Sequence, residues 1–261
     1  MTLVRFFIAF VCGITTVAQT ALPRAHAHND YEHARPLLDA LDQGFGSVEA
    51  DIYLVDGQLL VAHNREDVKR ERTLEKLYLA PLKQRFDQRK EILPGLNSLI
   101  LLVDIKDEAV ATYQLLEKQL ENYKPMLTLF EAEKITTNAV TIILSGNRPR
   151  EYVGKLPKRW VAIDGRLADL ADNPAPSLIP LISDNWTLHF SWKGGALAED
   201  QRAKLDEVVK KTHQQGRLLR FWAIPDREEA WALLHDANVD LINTDRLAEL
   251  AAFLTARQKS P

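Results

Sequence analysis

What most limits how this chain can fold is a regular alternation of short β-rich runs with amphipathic helical stretches. The β-rich runs cover 24–28, 48–54, 99–105, 140–144, 160–163, 178–182, 218–222 and 240–242. Between most of them, apolar residues recur at helical spacing over 35–43, 73–85, 108–122, 198–215, 227–236 and 246–257. Strand and helix in repeated alternation require right-handed crossovers and a parallel sheet. Eight such units in 261 residues predict a (β/α)8 TIM barrel, an α/β fold in a single domain, because this length suits a closed barrel better than an open sheet of so many strands. One interruption is expected. Asp56-Gly57 is a turn signal between Tyr53-Leu54 and the run from Leu59 to Ala62, so the second strand should fold back as a hairpin.

Composition narrows the class of partner. With 46% hydrophobic and 26% charged residues the chain is globular, and 11 Gly with one Cys exclude collagen-like and disulfide-stapled folds. Lys plus Arg number 33 against 36 Asp plus Glu, a net charge of −3, which leaves no basic footprint for a nucleic-acid backbone. At the N-terminus Arg5 precedes an apolar run from Phe6 through Val17, too short to span a bilayer as a helix. It reads as a signal peptide over residues 1–18, cleaved after Ala18 with Ala21 as second choice, and predicts an exported, periplasmic or secreted domain over 19–261. Its loss removes Cys12 and the single charge of Arg5, taking the net charge from −3 to −4.

The polar residues in the strands point to chemistry. A barrel strand covered on both faces should be almost continuously apolar. In Val48-Glu49-Ala50-Asp51-Ile52, strand period two instead places both carboxylates on one face and the apolar residues on the other. Val103-Asp104-Ile105-Lys106 repeats the pattern. Converging acids must take up a proton or find a cation, so Glu49, Asp51 and Asp104 make a cage of hard oxygens for Mg²⁺ or Ca²⁺. The plain alternative is a salt bridge from Glu49 or Asp51 to Lys106 or Arg220. His28 and His63 each follow a strand-like run near these acids and suit general acid and base work. His33, His213 and His235 lie on helical stretches and read as surface residues.

Taken in order, His28-Asn29, Gly44 through Asp51, Asp56-Gly57, His63 and Asp104-Ile105-Lys106 resemble the phosphatidylinositol phospholipase C-like phosphodiesterase superfamily, which includes glycerophosphodiester phosphodiesterases and venom-type sphingomyelinases D. The start at His28-Asn29-Asp30-Tyr31 and the later Phe221-Trp222 to Pro225-Asp226 and Asn243-Thr244-Asp245 segments are most similar to the subgroup of altered inheritance of mitochondria protein 6. The resemblance spans about residues 25 to 250. It implies a metal-dependent phosphodiesterase acting on a glycerophosphodiester or phospholipid headgroup, with contact to a membrane surface open. Carried over, His28 and His63 are the catalytic histidines and Lys106 contacts the phosphate. Glu49, Asp51 and Asp104 hold the cation, with Asn29 as a further ligand. Glycerophosphodiesterases carry arginine where Asn29 stands, which weakens transfer of their substrate. Arg220 and Trp222, on one strand face, line the substrate side.

Other readings stay open at this point. His26 rivals His28 for the first catalytic position. His26-Ala27-His28 also fits an amidohydrolase-like zinc barrel, for which His189 is the one further ligand in reach. A non-catalytic lipid-binding barrel is the third option. Trp186, Phe190 and Trp192 form either a lipid-facing lid or a plain cover for the barrel top. Asp245 is a mouth residue or, preferably, a cap for the last helix.

Overall fold

The computed structural model describes residues 20–132 and 134–259, so the expected signal peptide lies outside the described residues. Eight parallel strands form the expected barrel: β1 (Leu22–Ala27), β2 (Phe45–Val55), β3 (Leu99–Ile105), β4 (Val140–Gly146), β5 (Val161–Gly165), β6 (Leu181–Asn185), β7 (Leu218–Trp222) and β8 (Ile242–Thr244). Neighbours follow chain order from β1 to β7, and β8 pairs back onto β1. Closure between β7 and β8 rests on one parallel bridge, Arg220 to Leu241, with the amides of Asp240 and Leu241 donating to the Leu219 carbonyl.

Period-two alternation sorts each strand into two faces. Outward residues such as Val48, Ala50, Ile52, Leu101, Val103 and Ile105 are fully buried beneath the helices. Inward residues change character along the strand. Leu102, Ile143, Ala162, Leu181 and Leu241 make an apolar floor inside the barrel, and the next inward positions toward the strand ends are polar: Asp104, Ser145, Asp164, Ser183 and Asn243. The barrel is therefore plugged at its middle and polar at its C-terminal mouth, the end where barrels of this fold place their active sites. Outer helices bury one stripe each, as Leu205, Val209 and Thr212 do for Glu199–Gln214. Helix Ala109–Leu120 starts where the Glu108 carboxylate accepts from the Val110 and Ala111 amides.

The hairpin forms as read. β2 runs antiparallel to Gln58–Val61 through a two-residue turn, and Asp56 (φ 49) and Gly57 (φ 73) both occupy the left-handed region such turns need. Two strands start two or more residues later than the sequence reading places them. β6 begins at Leu181 rather than residue 178, because Pro180 has no amide to give the ladder. β8 begins at Ile242, and the Asp240 carboxylate instead accepts from the Leu219 amide at 2.8 Å. A small antiparallel sheet of Leu129–Glu131, Lys134–Thr136 and Lys158–Arg159 has no counterpart in the expected elements, and its Phe130 packs into the inner floor.

The aromatic segment after β6 is not a lid. Trp186, Phe190 and Trp192 are buried, with Trp186 stacked on Phe190 at 4.2 Å and edge-on to Phe221 at 5.4 Å. Packing inward gains more from three large rings than exposure would, and Leu188 is left as the exposed apolar side chain of the segment.

Candidate active site

All nine residues singled out from the sequence line one cavity of about 210 Å³ at the barrel mouth. Register explains the convergence. Asp51 on β2 lies directly beside Asp104 on β3, and Glu49 precedes Asp51 by one inward step. Oxygens of the three carboxylates lie within 4.8 Å of one another, the one such metal-ligating cluster of three among the described residues. A larger cavity of about 470 Å³ sits at the opposite barrel end, but Pro23, Ile100, Ile143 and Leu218 make its walls largely apolar and no acids converge there.

The electrostatics of the cage are those of a site short of positive charge. Burial and the neighbouring Glu49 push the Asp51 carboxyl up to about 6. Burial likewise raises Asp104 against the pull of Lys106. Burial would raise Glu49 too, yet the Arg220 guanidinium holds it well below the usual carboxylate range, with Arg220 Nη2 3.3 Å from Glu49 Oε2. Lys106 Nζ spans the other two acids, 3.0 Å from Asp51 Oδ2 and 3.3 Å from Asp104 Oδ1. Asp51 Oδ1 is buried without a hydrogen-bond donor. An all-oxygen donor set with an orphaned buried oxygen fits a hard divalent cation.

The two histidines flank the cage. His28 Nδ1 meets Asp245 Oδ1 at 2.8 Å, which leaves Nε2 toward the cavity, 3.9 Å from Glu49 Oε2. Burial works against the His28 imidazolium, but the Asp245 hydrogen bond and the Glu49 charge outweigh it and raise its pKa. Asp245 is thus a mouth residue that orients His28. The capping role expected for it passes to Thr244, whose hydroxyl accepts from the Arg246 amide at 2.9 Å. Opposite, His63 Nδ1 lies 2.9 Å from the Tyr31 hydroxyl, which also reaches Asp51 Oδ2 at 2.6 Å and Asn29 Oδ1 at 2.7 Å. Asn29 lines the cavity with its amide oxygen held by Tyr31.

His26 does not compete with His28. It is fully buried below the cage, its Nδ1 2.7 Å from Ser47 Oγ, and burial followed by the Arg220 charge pushes its pKa down to about 3. His189, the further ligand a zinc barrel needs, sits instead 3.2 Å from Asp184 Oδ2. Arg220 is buried, with Nε donating to Asn243 Oδ1 at 2.8 Å, and Trp222 stands beside it at the rim.

Four residues escaped sequence reasoning: Tyr31, Ser145, Asp164 and Arg166. Tyr31 belongs to a quoted motif but reads as an ordinary core aromatic. The acid in Ile163-Asp164-Gly165 carried the same strand-end signal as Asp104.

The fold and its mouth define a parallel β/α barrel with an acidic cluster set between two histidines, and comparison with known proteins narrows the class. Residues 15–96 and 94–161 match the AIM6-like phosphodiesterase domain, so the chain belongs to that family. Altered inheritance of mitochondria protein 6 of Eremothecium gossypii is 29% identical over 273 residues, covering 89% of this chain and 69% of its own length. A glycerophosphodiester phosphodiesterase from Parabacteroides distasonis shares the fold at a TM-score of 0.53 and 16% identity, over 92% of this chain and all of that one. A putative glycerophosphoryl diester phosphodiesterase from Silicibacter pomeroyi matches at a TM-score of 0.54 and 12% identity, over 92% and 95%.

Proposed function

We propose that this protein is a divalent-cation-dependent phosphodiesterase that cleaves a glycerophosphodiester or phospholipid headgroup by two-histidine acid–base catalysis. The observation that carries the reading is the convergence of two buried carboxylates, Glu49 and Asp51, and the half-buried Asp104 between His28 and His63 in one cavity. Glu49, Asp51 and Asp104, with the Asn29 amide oxygen, would hold Mg²⁺ or Ca²⁺. A cation bound there supplies polarisation of a non-bridging phosphate oxygen and neutralises developing charge. Lys106 then faces the phosphate as a second positive contact. One histidine takes the proton of the attacking oxygen, water or a substrate hydroxyl, as the new P–O bond forms. The other gives a proton to the departing alcohol oxygen as the old P–O bond breaks. Its Asp245 partner favours the charged imidazolium, so His28 is the suited donor. Arg220 fixes Glu49, and Trp222 packs against the substrate arm at the rim.

The test is a phosphodiester panel of glycerophosphocholine, lysophospholipid, sphingomyelin and inositol phospholipids with Mg²⁺ or Ca²⁺, products resolved by phosphorus NMR. Cleavage of at least one member, lost with EDTA and with His28→Ala or His63→Ala in folded protein, is the expected result. Turnover that survives EDTA removes the cation, and turnover that survives both alanines removes the histidine roles.

A further inference from the structure

We infer that the cavity wall at the ends of β4 and β5 carries an anion subsite, built on Arg166 and reinforced by the charge of neighbouring Arg148, that takes a second anionic group of the substrate beyond the scissile phosphodiester. The inference rests on the phosphodiesterase reading and names the substrate class it leaves open.

Arg166 lines the catalytic cavity from the side opposite the histidines' strands. One nitrogen does all its anchoring: Nη1 donates to Asp164 Oδ2 at 2.8 Å, to the Gly165 carbonyl at 2.8 Å and to the Ser183 carbonyl at 3.2 Å. Asp164 is wholly buried and is itself fixed by Ser145 Oγ at 2.8 Å and Ser183 Oγ at 2.6 Å. Nε and Nη2 of Arg166 have no protein acceptor among the described residues. A guanidinium held at one corner, with its remaining donors unmatched in a cavity, is preorganised for an oxyanion.

Arg148 adds charge that nothing answers. Its Nη1 donates to the Gly146 carbonyl at 3.0 Å, its Nε is buried without an acceptor, and no carboxylate among the described residues pairs with it. The charges acting on it are Arg166, Arg150, Asp164 and Asp169. Arg150 pairs with Asp169 and Arg166 with Asp164, so Arg148 is the surplus cation, and burial together with the Arg166 charge lowers its pKa. Gly146 ties this wall to the reaction centre. Its φ of 64 lets the backbone press against Asp104, where a Cβ would collide with the carboxylate. The subsite therefore abuts the cage and suits a phosphomonoester or carboxylate on one ester arm. A quaternary ammonium arm meets the Arg166 guanidinium there instead.

Calorimetry on the Mg²⁺-saturated protein compares propane-1,3-diyl bisphosphate with propyl phosphate, which differ by one phosphate. The bisphosphate should bind at least about tenfold tighter, the return of one charge-assisted contact. Arg148→Gln and Arg166→Gln should each bring the ratio toward one. Arg166→Gln strips a partner from buried Asp164, so Arg148→Gln, which leaves that network whole, decides if the first variant does not fold. A wild-type ratio near one, or a tenfold ratio that survives Arg148→Gln, overturns the subsite. Turnover separates the two readings. Glycerophosphoinositol 4-phosphate in solution and the same headgroup in phosphatidylcholine vesicles are compared with glycerophosphocholine. Preference for the phosphorylated arm in either form supports the subsite and assigns it to the soluble diester or the lipid. Cleavage without preference sinks the subsite alone, and binding discrimination without any cleavage sinks the phosphodiesterase reading alone.

Discussion

Asp51 and Asp164 are both buried acids at inward positions near strand ends, 1% and 0% exposed, yet they have opposite surroundings. Asp164 receives Ser145, Ser183 and Arg166, four hydrogen bonds spread over its two oxygens. Asp51 shares one oxygen between Tyr31 and Lys106, keeps the other unmatched, and stands beside Glu49 and Asp104. A buried carboxylate that is fully bonded holds structure together. One that is crowded by other acids and short of donors stores an unmet need for a cation. The difference lies in neighbours on adjacent strands, and it separates the half of the mouth that fixes walls from the half that carries reactive groups.

That contrast can be broken experimentally. The largest effect is expected from Asp51→Asn, which should lower kcat/KM by at least about a thousandfold, roughly 4 kcal/mol, while circular dichroism and the unfolding cooperativity stay native. A loss of fold would mean that Asp51, like Asp164, is structural. Asp164→Ala should do the reverse. It strands Ser145, Ser183 and the Arg166 charge, and should cost about 3 kcal/mol in urea unfolding. Stability within 1 kcal/mol of wild type would remove the structural role. Next in size is the cation itself. Mg²⁺ at about a hundredfold over its Kd should stabilise the wild type by about 2.7 kcal/mol, seen as a rise in Tm. The rise should vanish in Asp51→Asn and persist in Asp164→Ala, and an equal rise in all three would place the cation elsewhere.

Much of this was legible in the chain. Alternation along β2 put Glu49 and Asp51 on one face, and the same rule worked for Asp104 and Lys106 because it depends on local geometry alone. The eight-unit count and the Asp56-Gly57 turn are likewise local signals. What escaped depends on partners distant in sequence. Asp245 looked like a helix cap until closure of β8 onto β1 brought it to His28, 217 residues away. The indoles of Trp186 and Trp192 could not be assigned inside or outside until the fold set Trp186 against Phe221 on β7, far along the chain, with Trp192 edge-on to Trp186. Arg166 and Asp164 form a pair only two residues apart, but nothing in that spacing says that the pair faces the same cavity as Glu49.

The smallest expected effect is also the sharpest on the comparison. The Asp51 carboxyl is raised from its ordinary 3.8 to about 6 in the folded protein, so without metal the folded state holds a proton that the unfolded chain releases more readily. Stability from this source is fully present below about pH 4 and is lost as pH rises through about 6. Asparagine at this position keeps the neutral form at every pH. Metal-free Asp51→Asn should therefore match the wild type near pH 4 and exceed it by about 1–3 kcal/mol at pH 8, a gap set by roughly 1.4 kcal/mol per unit of raised pKa. Urea unfolding at both pH values in EDTA measures it. A gap that is flat with pH would show that Lys106 and Tyr31 satisfy Asp51 as fully as the two serines and Arg166 satisfy Asp164, and the distinction between the two acids would not stand.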